Sequence, residues 1–215
     1  MKIRIGLLIS LALVQANAMA QDHAIGGKAG LLGIGVEYAY SVNERVAVRG
    51  MLFGSSYSFD ATESGIAYDF DLNWDSLSVA VDLHPFTGPF RVSAGLMKND
   101  NGLRARSTTT GNLTIGNTTY TPAEVGSLSA NVGFDGTAPF FGLGWDWSRS
   151  KRIGLSLDLG VVKQGSPKVS LQASGTLLGD PAFAADIAAE EAELRDALDN
   201  FDLVPFASVG VAFRF

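Results

Sequence analysis

Ala207-Ser208-Val209-Gly210-Val211-Ala212-Phe213-Arg214-Phe215 ends the chain, and it alternates to its last residue. Phe215, Phe213, Val211 and Val209 share one face with Ala207, while Arg214, Ala212, Gly210 and Ser208 share the other. A period of two belongs to a β-strand, whose side chains point alternately to opposite sides. Chain ends are commonly frayed and polar. This one is apolar on one face and aromatic at its terminus, so that face demands an apolar partner.

Working outward, the same alternation recurs. It is carried by Leu32, Ile34, Val36, Tyr38 and Tyr40, then by Val46, Val48, Gly50 and Leu52 opposite Arg49. Phe70, Leu72 and Trp74 change register near Asp75-Ser76 into Leu77, Val79, Val81 and Leu83, which reads as a bulge. Phe90 to Leu96, Phe141 to Trp147 and Ile153 to Val161 follow, and the last strand begins near Phe201. Connections at 41–45, 84–88 and 148–152 are short, whereas 55–68, 98–138 and 163–200 are long. Membrane barrels alternate short periplasmic turns with long outer loops in this way. A chain that starts and ends on the periplasmic side needs an even number of strands. Parity therefore predicts an eighth strand within 22–30, around Ala24, Ile25 and Lys28.

Alternation alone does not say which face is inside. A soluble barrel would turn the apolar face inward. Three features favour lipid outside. The other face is small, with Ser78, Ala80, Ser93, Gly95, Gly142, Gly144, Gly154, Ser156 and Gly160, as a narrow lumen requires. Its charges nearly balance, with Glu37, Asp82, Asp146 and Asp158 against Arg49, Arg91 and Arg214, and buried charges must pair. Tyr38, Tyr40, Phe90, Trp145 and Trp147 gather with Phe86, Phe213 and Phe215 beside the short turns, forming an aromatic girdle at the periplasmic interface. Pro205 falls at the outer rim of the last strand, where a missing donor meets water.

The N-terminus has the order of a secretory signal peptide: Lys2 and Arg4, an apolar run over 5–14, then Ala16-Asn17-Ala18 and Ala18-Met19-Ala20. Cleavage after Ala20 leaves one domain over 21–215. Taking Lys2 and Arg4 from the 16 basic residues leaves 14 against 22 acidic ones, a net charge of −8. Such a surface is a poor match for nucleic acid. The chain has no cysteine, so it relies on its ladder and packing rather than disulfides.

The long loops have structure of their own. Residues 103–110, 128–134 and 169–173 still alternate and read as the barrel wall continued above the membrane. Residues 113–121 read as a hairpin turning at Gly116-Asn117. Over 181–199, Asp180 is an N-cap and Pro181 the first helical residue, with Phe183, Ile187, Leu194 and Leu198 on one stripe. Its other face is acidic: Asp186, Glu190, Glu191, Glu193, Asp196 and Asp199. That face reads as solvated, with a lid, plug or divalent-cation surface as the alternative.

Chemistry is sparse. His84 follows Asp82 by two residues, a pair able to support acid–base work. Lipid A deacylases of small outer-membrane barrels carry a His-x-Ser element, but Phe86 stands where that serine would be. No metal-ligand cluster, phosphate loop or nucleophile elbow is present in the sequence, and no cofactor is expected. Asp69, Asp71, Asn73 and Asp75 form an acidic row near the outer mouth, for hydration, for Ca²⁺ or for repelling anions.

Taken together, the chain resembles small bacterial outer-membrane β-barrels of the OmpA-like and OmpW-like kind. Val-Asn-Glu-Arg-Val at 42–46 is similar to a periplasmic turn of the former. The resemblance implies an eight-stranded antiparallel transmembrane β-barrel in the outer membrane, in contact with lipid and lipopolysaccharide. It also implies that the terminal Phe215, Phe213, Val211 and Val209 are read by the barrel-assembly machinery. It carries no cell-wall anchoring, because no peptidoglycan-binding domain follows Phe215, and no activity. Three functions stay open: a closed surface barrel, a narrow conduit for a small solute, and a lipid-modifying enzyme.

Overall fold

The structure, a computed structural model, describes residues 22–63, 66–99, 102–108, 111–134, 136–198 and 202–215. The signal-like segment with its cleavage point, Phe201 and Asp199 lie outside them.

In chain order the strands are β1 (His23–Gly30), β2 (Gly33–Ser41), β3 (Val46–Glu63), β4 (Ile66–Leu83), β5 (Phe90–Asn99), β6 (Gly102–Thr108), β7 (Leu113–Ile115), β8 (Thr118–Tyr120), β9 (Ser127–Gly133), β10 (Thr137–Asp146), β11 (Ile153–Lys163), β12 (Lys168–Ala173) and β13 (Leu203–Arg214). The helices are α1 (Pro122–Val125) and α2 (Pro181–Leu198). Eight strands close a barrel in the order β1-β2-β3-β4-β5-β10-β11-β13, every neighbouring pair antiparallel. The strand that parity required is β1, which pairs with β13 from Ala24↔Arg214 to Gly30↔Ser208. Phe215 completes the seam: its N–H donates to the His23 carbonyl at 2.8 Å, and the His23 N–H donates to the Phe215 carbonyl.

The faces divide as a membrane barrel's do. Ile25, Ile34, Val36, Val48, Leu52, Leu77, Val79, Val81, Leu143, Leu155, Val209 and Val211 all point outward and are exposed. Ala24, Lys28, Arg49, Ser78, Ala80, Asp82, Ser93, Ser156 and Ala212 are buried inside. With no water in lipid to satisfy backbone groups, a closed ladder is the only sheet that can carry such a band. No helix among the described residues is long and apolar enough to cross a membrane.

Above this band one side of the wall continues. β5 and β6 keep a single register against β4, from Leu83↔Val92 through Ser76↔Asn99 to Asn73↔Gly102 and Tyr68↔Ser107. β10 and β9 likewise keep one register against β5 and β6, and β12 adds to β9. The upper sheet is thus β3-β4-β6-β9-β12. The hairpin β7–β8 turns at Gly116, whose φ of +58° suits glycine. With α1 and α2 it builds a second small core of Ile115, Tyr120, Val125 and Phe183.

Several expectations are corrected. There is no bulge at Asp75-Ser76: β3 and β4 pair in one register from Val46↔Leu83 to Glu63↔Ile66. Phe70, Leu72 and Trp74 share the inner face with Ser76, Ser78 and Ala80, and Asp69, Asp71, Asn73 and Asp75 share the outer face with Leu77 and Val79. What changes between Asp75 and Leu77 is the solvent outside the strand. Leu32 is not on the face of Ile34; it sits in the two-residue β1–β2 turn and is buried inside the barrel. Trp147 is not in a strand, since β10 ends at Asp146 and 147–150 form a 3-10 turn.

Candidate functional site

The barrel interior holds the densest polar chemistry of the described residues, in two layers. The lower layer is ionic. On β3, inward-facing Arg49 sends Nε and Nη2 to Asp82 on β4 at 2.8 and 3.0 Å, a bidentate grip. Its Nη1 reaches Glu37 on β2 at 3.3 Å and Asp158 on β11 at 3.4 Å. Arg91 on β5 donates to Asp158 at 2.7 Å and lies 3.8 Å from both Asp82 and Asp146. Arg214 on β13 donates to Asp146 at 3.2 Å and to the Ser41 hydroxyl at 2.9 Å. The Ser93 hydroxyl donates to Asp82 at 2.6 Å, and the Ser148 N–H and hydroxyl donate to Asp146.

One member was missing from the sequence reading. Lys28 on β1 is buried, pairs with Asp158, and lies 3.1 Å from Glu37. With it, four cations (Lys28, Arg49, Arg91, Arg214) meet four anions (Glu37, Asp82, Asp146, Asp158). The signal was available in parity: Ala24, Gly26 and Lys28 share the inner face of β1. Glycine makes room for the cluster. A Cβ on Gly144 would stand 2.7 Å from both Arg91 Nε and Asp158 Oδ1.

The upper layer is apolar. Leu32, Met51, Phe53, Ala80, Met97, Ala138, Phe140 and Val162 form one buried cluster, with Trp74 and Phe206 packed against it. Gly95 and Gly160 give the Phe140 and Phe206 rings their space; a Cβ at either would stand 2.6 Å from a ring carbon. Between the layers lies a cavity of about 20 Å³, bordered by Arg49, Met51, Ser93, Phe140, Asp158 and Phe206. That is roughly the space of one water molecule.

Below the ionic layer, the turn after β4 carries His84, which is buried and whose ring nitrogens have no hydrogen-bond partner among the described residues. Burial, and then the Arg149 guanidinium, push its pKa down to about 4, against the opposing pull of Asp82 and Asp146. A neutral, unpartnered imidazole is poorly placed for the acid–base role that the Asp82 spacing suggested.

The aromatic residues at this end are in contact. Phe90 and Trp145 rings are 5.5 Å apart, and Phe86 lies 6.3 Å from Phe90. His23 joins them, unanticipated: its ring lies 5.1 Å from Tyr40 and 5.8 Å from Phe215, and its Nδ1 is 2.7 Å from the Tyr38 hydroxyl. Phe213 stacks on Phe215 at 6.0 Å. Trp147 is exposed in its 3-10 turn.

At the other end, Asp180 caps α2 by accepting from the Ala182 and Phe183 N–H groups. The helix's acidic face is not simply solvated. Asp186 accepts from the Tyr120 hydroxyl at 2.6 Å, Glu190 from the Gly116 N–H and Glu191 from the Leu171 N–H. The Tyr120 hydrogen bond holds the Asp186 carboxyl below its usual pKa. The helix carboxylates therefore fasten α2 to the hairpin and to the edge of β12. Among the described residues no group of three or more carboxylate or imidazole side chains is arranged to hold a metal, the β4 acidic row included.

No protein-family model matches this chain, and no curated protein sequence does. Among solved structures, CarO2 of Acinetobacter baumannii aligns with a TM-score of 0.61 at 22% identity, over 90% of this chain and 98% of that one. CarO of Acinetobacter baumannii aligns with a TM-score of 0.57 at 20% identity, over 89% and 97%. At these identities the likeness is one of fold, and it spans nearly the whole of both chains. The fold is that of a small outer-membrane β-barrel.

Proposed function

We propose that this chain is a non-enzymatic bacterial outer-membrane barrel with a surface role, exported by a signal peptide cleaved after Ala20, whose lumen is closed to bulk flow. The observation that carries the reading is the pairing of four buried cations with four buried anions beneath an apolar plug. A solute would have to open both layers, and opening the lower one strands charges in a low-dielectric interior. Recording in planar bilayers is the test. The reading expects no steady conductance from the wild-type barrel. Steady conductance that changes on Arg91→Ala would establish a narrow conduit instead.

The outward apolar band is matched to lipid, and the loops at its upper rim to lipopolysaccharide. Phe215, which seals the β1–β13 seam through His23, is the end that the assembly machinery would engage. Phe215→Ala is expected to reduce the outer-membrane level of the protein several-fold while the barrel refolded in detergent loses only about 1 kcal/mol of stability. Cell fractionation, paired with gel mobility before and after boiling, measures both. Wild-type levels of the variant in the outer membrane would remove the assembly role.

A further inference from the structure

The upper wall has a notch. β1 and β2 are joined through Leu31-Leu32, while neighbouring β3 climbs on to Glu63 and β13 enters from Leu203. Among the described residues three strand edges therefore stand free of the barrel ladder above the membrane, and they are treated differently. The far edge, β12, is covered by α2, whose Glu191 takes the Leu171 N–H at 2.7 Å. The β13 edge above Gly30↔Ser208 is short and carries Pro205. Prolines blunt edges because they cannot donate. The third edge is β3 from Ser55 to Glu63. Its last pair with β2 is Ile34↔Gly54, and beyond it β3 pairs only with β4 among the described residues. Residues 55–61 are all exposed. Ser-Ser-Tyr-Ser-Phe-Asp-Ala-Thr-Glu has no proline, lysine or glycine to blunt it.

The two faces beside this edge are unlike. Directly opposed residues share a face, so Phe59, Phe70, Ala105, Ala130 and Leu171 form one inner row, and Tyr57, Leu72, Leu103, Val132 and Val169 the next. Phe59 stacks on Phe70 at 4.9 Å and touches Tyr57 at 5.8 Å, yet Tyr57 is 65% exposed. On the outer face Asp60 lies opposite Asp69 and Ser58 opposite Asp71, with Arg106 and Arg104 one strand farther from the edge. An arriving strand thus meets the Tyr57 and Phe59 rings on one side and the Asp60 carboxylate on the other.

We propose that the upper edge of β3 is a strand-addition site for an extended cationic peptide. The peptide lies above β2, antiparallel to β3, with apolar side chains on Tyr57 and Phe59 and alternate Lys or Arg side chains beside Asp60. Charge complementarity favours this occupant over a second copy, which brings its own Asp60. Geometry does too: copies in one membrane both have β3 rising, so their edges cannot form the antiparallel ladder of a two-fold pair. The inference rests on the upper wall standing outside the membrane and is independent of whether the lumen conducts.

The test uses the full barrel folded in detergent micelles and a capped nonapeptide alternating lysine with phenylalanine and valine. Amide exchange over 55–63 is expected to slow about tenfold or more on saturation, with no change along β13. A strand turns the N–H groups of alternate residues to opposite edges. N-methylation of one alternate set of the peptide should therefore abolish binding, and methylation of the other set should leave it intact. Asp60→Lys and Phe59→Ser should each weaken affinity about five- to tenfold while the heat-sensitive folded band persists. Binding indifferent to both methylation patterns would reduce the effect to charge attraction and overturn the proposal. Protection elsewhere on the barrel, or self-association of the protein through 55–63, would overturn it as well.

Discussion

The lower and upper halves of β3 and β4 are the same two strands in one register, and their outer faces are opposite in kind. Below Asp75 the inner face carries Arg49, Ser78 and Asp82 with Met51, Phe53 and Ala80 among them, and the outer face is Val48, Leu52, Val79 and Val81. Above it the inner face is Tyr57, Phe59, Phe70 and Leu72, and the outer face is Ser58, Asp60, Asp69 and Asp71. Backbone pairing is indifferent to this inversion. The alternation records which solvent lies outside: lipid where apolar residues point out, water where carboxylates do. One ladder therefore serves as membrane wall and as the floor of a water-exposed sheet.

Removing a charge from the lower half should have the largest effect. Arg49 is buried and holds Asp82, Glu37 and Asp158. Arg49→Ala leaves them uncompensated, so unfolding of the refolded barrel in urea should show a loss of about 3–5 kcal/mol. Next comes a direct break of the comparison. Val79→Arg places a charge on the lipid face and should cost about 2–4 kcal/mol. Asn73→Arg, on the same face of the same strand but above the rim, should stay within about 0.5 kcal/mol of wild type. Equal costs at the two positions would put the rim somewhere else. Gly144→Ala presses a methyl against Arg91 and Asp158, and about 1–3 kcal/mol is expected.

A separate effect concerns pH. His84 has a folded pKa of about 4 against 6.5 unfolded. The unfolded chain binds the proton first as pH falls, so stability tied to His84 is full above 6.5 and is lost on the way down to 4. Urea midpoints measured across that window should drop in the wild type and drop less in His84→Gln.

The strands were legible because alternation survives in both halves, and parity located β1 in a stretch where small residues hide it. The continued wall over 103–108, 128–133 and 169–173 was legible for the same reason. The inversion was not, because a swap of faces and a one-residue bulge produce the same written pattern. Only the partner strand distinguishes them, and the unbroken β3–β4 register does so. Lys28 was obscured by Gly26, Gly27 and Gly30 around it, which give no contrast between faces. Glu190 and Glu191 of α2 looked like a solvated surface because their donors, the Gly116 and Leu171 N–H groups, are backbone atoms that no side-chain pattern announces.

The central claim is that the outer face of β4 passes from lipid to water between Leu77 and Asp75. The chain has no cysteine, so single cysteines can carry a nitroxide at 69, 71, 73, 75, 77, 79, 81 and 83 in barrels reconstituted into vesicles. Collision with oxygen, which concentrates in lipid, should be high from 77 to 83. Collision with a water-soluble nickel chelate should be high from 69 to 75. Labels at 71 and 79 with the same lipid accessibility, or a lipid-facing signal at 78, 80 and 82 instead, would contradict the account.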